Sequence, residues 1–102
     1  MARLVKVAQV DELPPGKSRA VTVEGKPIAL FNAGGELCAL DGKCSHVGGP
    51  LGHGAFDGAV VTCPWHRAQF EVRTGKTLSP HASNLACHKL VVQGDEIFME
   101  LP

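Results

Sequence analysis

The sequence predicts an all-β domain. Three observations carry this: apolar and polar residues alternate over short runs, glycine and proline punctuate those runs at close intervals, and no stretch of helical period is long enough to build a helix. With 102 residues, twelve of them glycine and seven proline, the chain makes one small domain spanning residues 1–102 with a modest core.

The elements follow in order. Arg3 to Val7 alternates as a strand, and a short helical turn fits within Val10 to Leu13. After the Leu13-Pro-Pro-Gly16 turn, Ala20 to Val23 forms a second strand. Pro27 to Asn32 then leads through Ala33-Gly34-Gly35 into Glu36 to Leu40, the pattern of a hairpin. Ala59 to Thr62 and Gln69 to Val72 make a further pair, and Lys89 to Gln93 with Glu96 to Glu100 closes the chain as a hairpin across Gly94-Asp95. Both termini therefore build an antiparallel β-sandwich or barrel base, and residues from about 42 to about 80 form a smaller lobe.

Composition excludes several classes of function. Lysine plus arginine balance aspartate plus glutamate at ten each, so there is no basic footprint for nucleic acid. The start, Met1-Ala-Arg-Leu-Val-Lys, lacks the apolar core of a signal peptide, and no run approaches membrane-spanning length. A cytoplasmic protein, monomeric when free, is expected.

The chemistry sits in the lobe. Cys44-x-His46 and Cys63-x-x-His66 place one soft and one imidazole ligand in each of two segments, with Gly48, Gly49, Pro50 and Pro64 keeping those segments out of regular structure. Such a set suits a zinc ion or an iron–sulfur cluster. Cys₂His₂ zinc sites usually carry both cysteines in one half and both histidines in the other, whereas each half here is mixed. A [2Fe–2S] centre in which one iron keeps two cysteines and the other takes two histidines draws one ligand for each iron from each segment, which matches this order.

The run Cys44-Ser-His46-Val-Gly-Gly-Pro-Leu51, with Gly54, Gly58 and Cys63-Pro-Trp-His66, resembles the signature of the Rieske-type ferredoxins. Gln69-Phe70-Glu71-Val72-Arg73-Thr74-Gly75-Lys76 is similar to the segment that follows the second ligand loop in that family, and Pro80 matches its proline loop. The resemblance implies a Rieske-type fold and one [2Fe–2S] cluster bound by Cys44, His46, Cys63 and His66. It further implies a one-electron carrier between a flavin-dependent reductase and a terminal, ring-hydroxylating oxygenase. In this family the histidine-bound iron lies nearest the surface, so partners are expected to dock around His46 and His66. The alternatives are a small subunit of an assimilatory nitrite reductase, which shares the fold but often lacks the ligands, and a structural zinc module. The chain itself is not expected to be an enzyme, because too few residues remain to build a mononuclear iron site.

The resemblance also bears on redox tuning. High-potential members carry cysteines at the positions of Gly49 and Trp65 and hydroxyl side chains at those of Ala68 and Phe70; here all four are absent, which places the potential near the low end of the Rieske range, roughly −150 mV. Arg67 stands where these ferredoxins usually have glycine, beside His66. Cys38 and Cys87 remain as free thiols in strands, where Cys87 and His88, being adjacent, point to opposite faces. His53, His81, Lys43 and Lys76 read as solvated surface, and Trp65 as a shield or docking edge.

Overall fold

The computed structural model describes residues 3–41, 55–63, 68–78 and 84–101. Among these, ten strands and a single 3₁₀ turn follow in the order β1 (Arg3–Gln9), the turn Val10–Glu12, β2 (Ser18–Val23), β3 (Lys26–Ala33), β4 (Glu36–Asp41), β5 (Ala55–Phe56), β6 (Val60–Thr62), β7 (Gln69–Glu71), β8 (Cys87–His88), β9 (Leu90–Gln93) and β10 (Glu96–Leu101). They form three antiparallel sheets: β1-β10-β9 from the two termini, β2-β3-β4-β8 in the middle, and β5-β6-β7 in the lobe.

The hairpins obey local backbone chemistry. At Gly34 and Gly35 φ is +66° and +102°, which allows the two-residue connection between Ala33 and Glu36 that the right-handed twist of the strands favours. The β2–β3 turn is of the same kind, with Gly25 at φ +82° and Glu24 at +50°. Both carboxylate oxygens of Glu24 accept from Arg3 Nη2, at 2.9 and 2.8 Å.

Strand β3 explains how the layers stack. Its last six residues are all buried, because the strand is covered on both faces and its side chains alternate between them. Ala29, Phe31 and Ala33 join Cys38 and Leu40 of β4 in an apolar cluster with Val61, Cys63, Ala68, Phe70, Val72 and Leu85, the layer shared with the lobe. Ile28, Leu30 and Ala39 face the other way and pack with Ala8, Leu13, Val23, Ile97 and Met99, the layer shared with the terminal sheet. Asn32 is the one polar residue buried among the described residues. Its Nδ2 donates to the Leu13 carbonyl at 2.8 Å, and its Oδ1 accepts from the Gly35 N–H at 2.7 Å.

Several contacts among the described residues fasten the lobe to the base. Phe31 and Phe56 meet with ring centroids 5.0 Å apart at 58°, a tilted pair of a kind that adds about 1 kcal/mol beyond its buried area. Arg73 Nε donates to Glu36 Oε2 at 2.7 Å and its Nη2 to the Ala33 carbonyl at 3.0 Å, tying the turn after β7 to the β3–β4 hairpin. Gly75 lies against the chain at Leu85, whose N–H donates to the Gly75 carbonyl at 2.8 Å.

The all-β fold and the expected strands are present, with small shifts at their ends. Strand β6 starts at Val60 rather than Ala59, and β7 ends at Glu71 because Val72 enters the turn that leads to Gly75. Lys89 separates β8 from β9 instead of opening β9. The short pair-forming strand Ala55–Phe56 had no sequence signal of its own.

Candidate metal centre

The lobe sheet sets the geometry of the site. In β5-β6-β7, Ala55 lies opposite Thr62 and Thr62 opposite Gln69, so these three residues form a row across one end of the sheet. A fourth segment extends the row: Thr77 bridges Phe70, and the Leu78 N–H donates to the Gln69 carbonyl at 2.8 Å. Gln69 Nε2 donates to Thr62 Oγ1 at 3.3 Å along the same row.

This end is where the candidate ligands attach. Ala55 follows residues 42–54, Thr62 and Gln69 bracket residues 63–68, and Leu78 precedes residues 79–83. The Cys63 N–H donates to the Ala68 carbonyl at 2.7 Å, extending the pairing of β6 and β7 by one step at this end. The Asn84 side chain then clasps the segment before Pro80, its Oδ1 accepting from the Thr77 N–H at 2.9 Å. The upstream flank of residues 42–54 is pinned at Asp41: its N–H donates to the Ala86 carbonyl at 3.1 Å, and its Oδ1 lies 2.8 Å from His88 Nε2.

Of the four candidate ligands, Cys63 is described. It is fully buried, in the cluster of Val61, Ala68 and Phe70. Cys44, His46 and His66 lie outside the described residues, as do Lys43, His53, Trp65, Arg67, Pro80 and His81. Among the described residues no group of three or more His, Cys, Asp or Glu side chains could hold a metal. The donor chemistry fits a cluster: a cysteine sulfur in apolar surroundings can carry thiolate charge when that charge is shared with iron, and such a shell restricts water.

The two remaining cysteines behave differently. Cys38 is buried, and desolvation raises its thiol pKa to about 11. Cys87 lies in β8 and is exposed; its pKa is also raised, again chiefly by desolvation. The opposite-face reading of the Cys87-His88 dipeptide holds. Cys87 Sγ lies 3.7 Å from the Arg73 carbonyl on the lobe side, while His88 turns to Asp41. That pairing joins residues 47 apart and had no sequence signal. Asp57 shapes the far end of the sheet, its Oδ1 accepting from the Ala59 and Val60 N–H groups at 2.9 and 2.8 Å. Those bonds hold its carboxyl below the ordinary value, the bond from Val60 being the largest cause.

Comparison with known proteins agrees with this architecture. The sequence profile of the Rieske [2Fe-2S] domain matches residues 3–89. The ferredoxin subunit of the 3-phenylpropionate/cinnamic acid dioxygenase of Escherichia coli K12 is 40% identical over 96 residues, covering 91% of this chain and 89% of the relative. The ferredoxin component of the naphthalene 1,2-dioxygenase system of Pseudomonas aeruginosa is 34% identical over 91 residues, covering 88% of each. Among solved structures, the ferredoxin of carbazole 1,9a-dioxygenase from Nocardioides aromaticivorans IC177 superposes with a TM-score of 0.87 at 32% identity, covering 94% of this chain and 95% of that one. With a profile match over most of its length and relatives this similar, the chain belongs to the Rieske [2Fe–2S] family as a Rieske-type ferredoxin, a one-electron carrier whose cofactor is a [2Fe–2S] cluster.

Proposed function

We propose that this ferredoxin takes electrons from a flavin-dependent reductase and delivers them to a terminal, ring-hydroxylating oxygenase, with its cluster held by Cys44, His46, Cys63 and His66. The observation that carries the reading is the shared row Ala55-Thr62-Gln69-Leu78, which brings the flanks of all three cluster-lobe segments to one end of a single sheet. Ligands from separate segments can then meet at that end. Thiolates of Cys44 and Cys63 would hold one iron and imidazoles of His46 and His66 the other. When bound, the cluster supplies one reversible single-electron couple. The apolar layer around Cys63 limits water on the inner side, and the hydrogen-bonded flanks fix where the ligand segments begin.

The naming of the E. coli and Pseudomonas relatives as dioxygenase ferredoxins supports an oxygenase as electron acceptor. The chain itself performs no catalysis in this reading: residues 1–102 form one domain, residues from about 42 to about 80 its cluster lobe, and the reaction belongs to the partner. It acts in the cytoplasm as a monomer when free, and needs neither nucleic acid nor membrane. Among the described residues no helix is long and apolar enough to cross a membrane.

Electron paramagnetic resonance before and after dithionite reduction, with iron, sulfide and zinc quantified in the same sample, tests the site. The expected result is a silent oxidised state, a rhombic signal of low average g on reduction, and two irons per chain. Stoichiometric zinc without a signal, after attempted cluster reconstitution, would overturn it.

A further inference from the structure

The first ligand segment leaves the base beside a histidine. Asp41 is the last residue of β4, and two of its bonds run to the short stretch around β8: its N–H donates to the Ala86 carbonyl at 3.1 Å, and its Oδ1 lies 2.8 Å from His88 Nε2. An ionised carboxylate only accepts, so Nε2 is the donor whether the ring is neutral or protonated. The bond therefore persists while the charge of the ring changes at Nδ1, and imidazole is the side chain that ordinarily changes charge around neutrality.

The place of this pair is what matters. Of the ten acidic residues in the chain, Asp41 is the nearest in sequence to a candidate ligand, three residues before Cys44; Glu71 stands five from His66, and Asp57 six from Cys63. Three peptide units span at most about 11 Å between Cα atoms, which is comparable with the screening length of roughly 10 Å at 0.1 M salt. With the ring protonated the pair is neutral. With the ring neutral it carries one negative charge, which opposes the arrival of an electron at the cluster. The other carboxylates on the strands packed against β8 have cations of their own: Glu36 of β4 meets Arg73 at 2.7 Å, and on β10 Glu96 meets Lys6 at 2.7 Å and Glu100 meets Lys89 at 3.8 Å. Cys38 and Cys87 lie on the opposite, lobe-side face.

We propose that His88 is a positioning residue for the cluster, acting through Asp41. Its hydrogen bond fixes the carboxylate at the root of the first ligand segment, and its charge decides whether that carboxylate stands neutralised when the electron arrives. This rests on Cys44 being a cluster ligand. The sign follows from the charges. The potential of the wild type falls as pH rises and the ring loses its proton. His88→Gln keeps an N–H donor for Asp41 but no charge, so it holds the wild type's high-pH potential throughout. Asp41→Asn removes the negative charge and lies above the wild type at the alkaline end.

The test compares cluster-loaded wild type, His88→Gln and Asp41→Asn by direct voltammetry from about pH 5 to about pH 8, at low ionic strength where screening is least. Electron paramagnetic resonance, iron content and unfolding temperature are taken on the same samples. The expected result is an unchanged spectrum and iron content in both variants, a wild-type potential above that of His88→Gln at the acid end, and convergence of the two at the alkaline end. Because only the difference between proteins is read, any other group that titrates in all three cancels. Parallel or superposed profiles for the wild type and His88→Gln, even with a lowered unfolding temperature, would make His88 a structural tie and overturn the proposal. So, independently, would Asp41→Asn at or below the wild-type potential at the alkaline end. Both results leave the proposed function standing, whereas a wild type that binds zinc and gives no rhombic signal would overturn the two together.

Discussion

Replacing Gly75 with alanine tests how the lobe is seated on the base. Gly75 has φ +77°, and an added Cβ would overlap the Leu85 carbonyl oxygen, with the Leu85 carbonyl carbon at 3.1 Å and Leu40 Cδ2 at 3.2 Å. Two of these neighbours are backbone atoms, so a side-chain rotation cannot relieve the overlap. The left-handed conformation costs about 1 kcal/mol for alanine after allowing for the stiffer unfolded chain. Moving the backbone apart strains or breaks the Leu85 N–H bond to the Gly75 carbonyl, worth about another 1 kcal/mol. The displaced packing at Leu40 and Leu85 adds at least as much again, for a total of about 3 kcal/mol or more. Gly25 is the control, because its φ is +82° and nothing lies within 4 Å of its added Cβ. Gly25→Ala therefore carries only the conformational cost. Thermal unfolding of the cluster-loaded proteins, followed by far-ultraviolet circular dichroism and by visible absorbance, should show a fall of about 5 °C for Gly25→Ala and more than about 12 °C for Gly75→Ala. Equal shifts for the two variants would refute the close approach to Leu85 as the reason for glycine.

Substituting Cys44, His46, Cys63 or His66 by alanine should abolish the rhombic signal in each case, and a variant that kept it would remove that residue from the ligand set. The potential should lie near −150 mV, roughly the low end of the Rieske range; voltammetry returning a value above zero would contradict the low-potential assignment. Arg67→Gly should lower the potential or weaken docking, since a guanidinium beside His66 favours the more negative reduced cluster or pairs with a partner carboxylate; wild-type values for both would leave Arg67 as tolerated surface. Cys38 links stability to pH: its thiol pKa rises from 9.0 to about 11 on folding, so the folded state holds the proton more tightly. Stability is therefore full below pH 9 and falls as pH rises toward 11, by no more than about 2 kcal/mol. Urea titrations of the wild type and Cys38→Ala across that window should diverge, and parallel curves would exclude the linkage.

The strands were legible because their signals are local. Alternation marks Arg3 to Val7, and the Gly34-Gly35 pair marks its hairpin. Ala55–Phe56 was not legible, since two residues cannot display a period and the strand exists only by pairing with β6. The spacing names a candidate ligand set, but the setting of Cys63 could not be read from it. That Cys63 is buried beside Phe70, that Asn84 clasps Thr77, and that Asp41 meets His88 all depend on which sheets pack together. Cys87 shows the same limit: β8 is a two-residue strand that exists only by pairing with β4 at the edge of its sheet, so the exposure of the thiol could not be read either.

The layering suggests why loop chemistry and fold stability can vary separately in this domain. The lobe is fastened at Phe31–Phe56, at Arg73 with Glu36 and Ala33, and at Gly75–Leu85, and all of these lie outside the candidate ligand segments. The flanks of those segments take their positions from the β ladder, which is tied through β3 to both halves of the core. A site held by rigid elements keeps its geometry when individual loop residues change. Changes such as Arg67→Gly should therefore move potential or docking with little effect on unfolding temperature, whereas Gly75→Ala should lower stability and loosen the cluster together. Finding both properties shifted equally by every loop substitution would mean that the segments stabilise the lobe rather than rest on it.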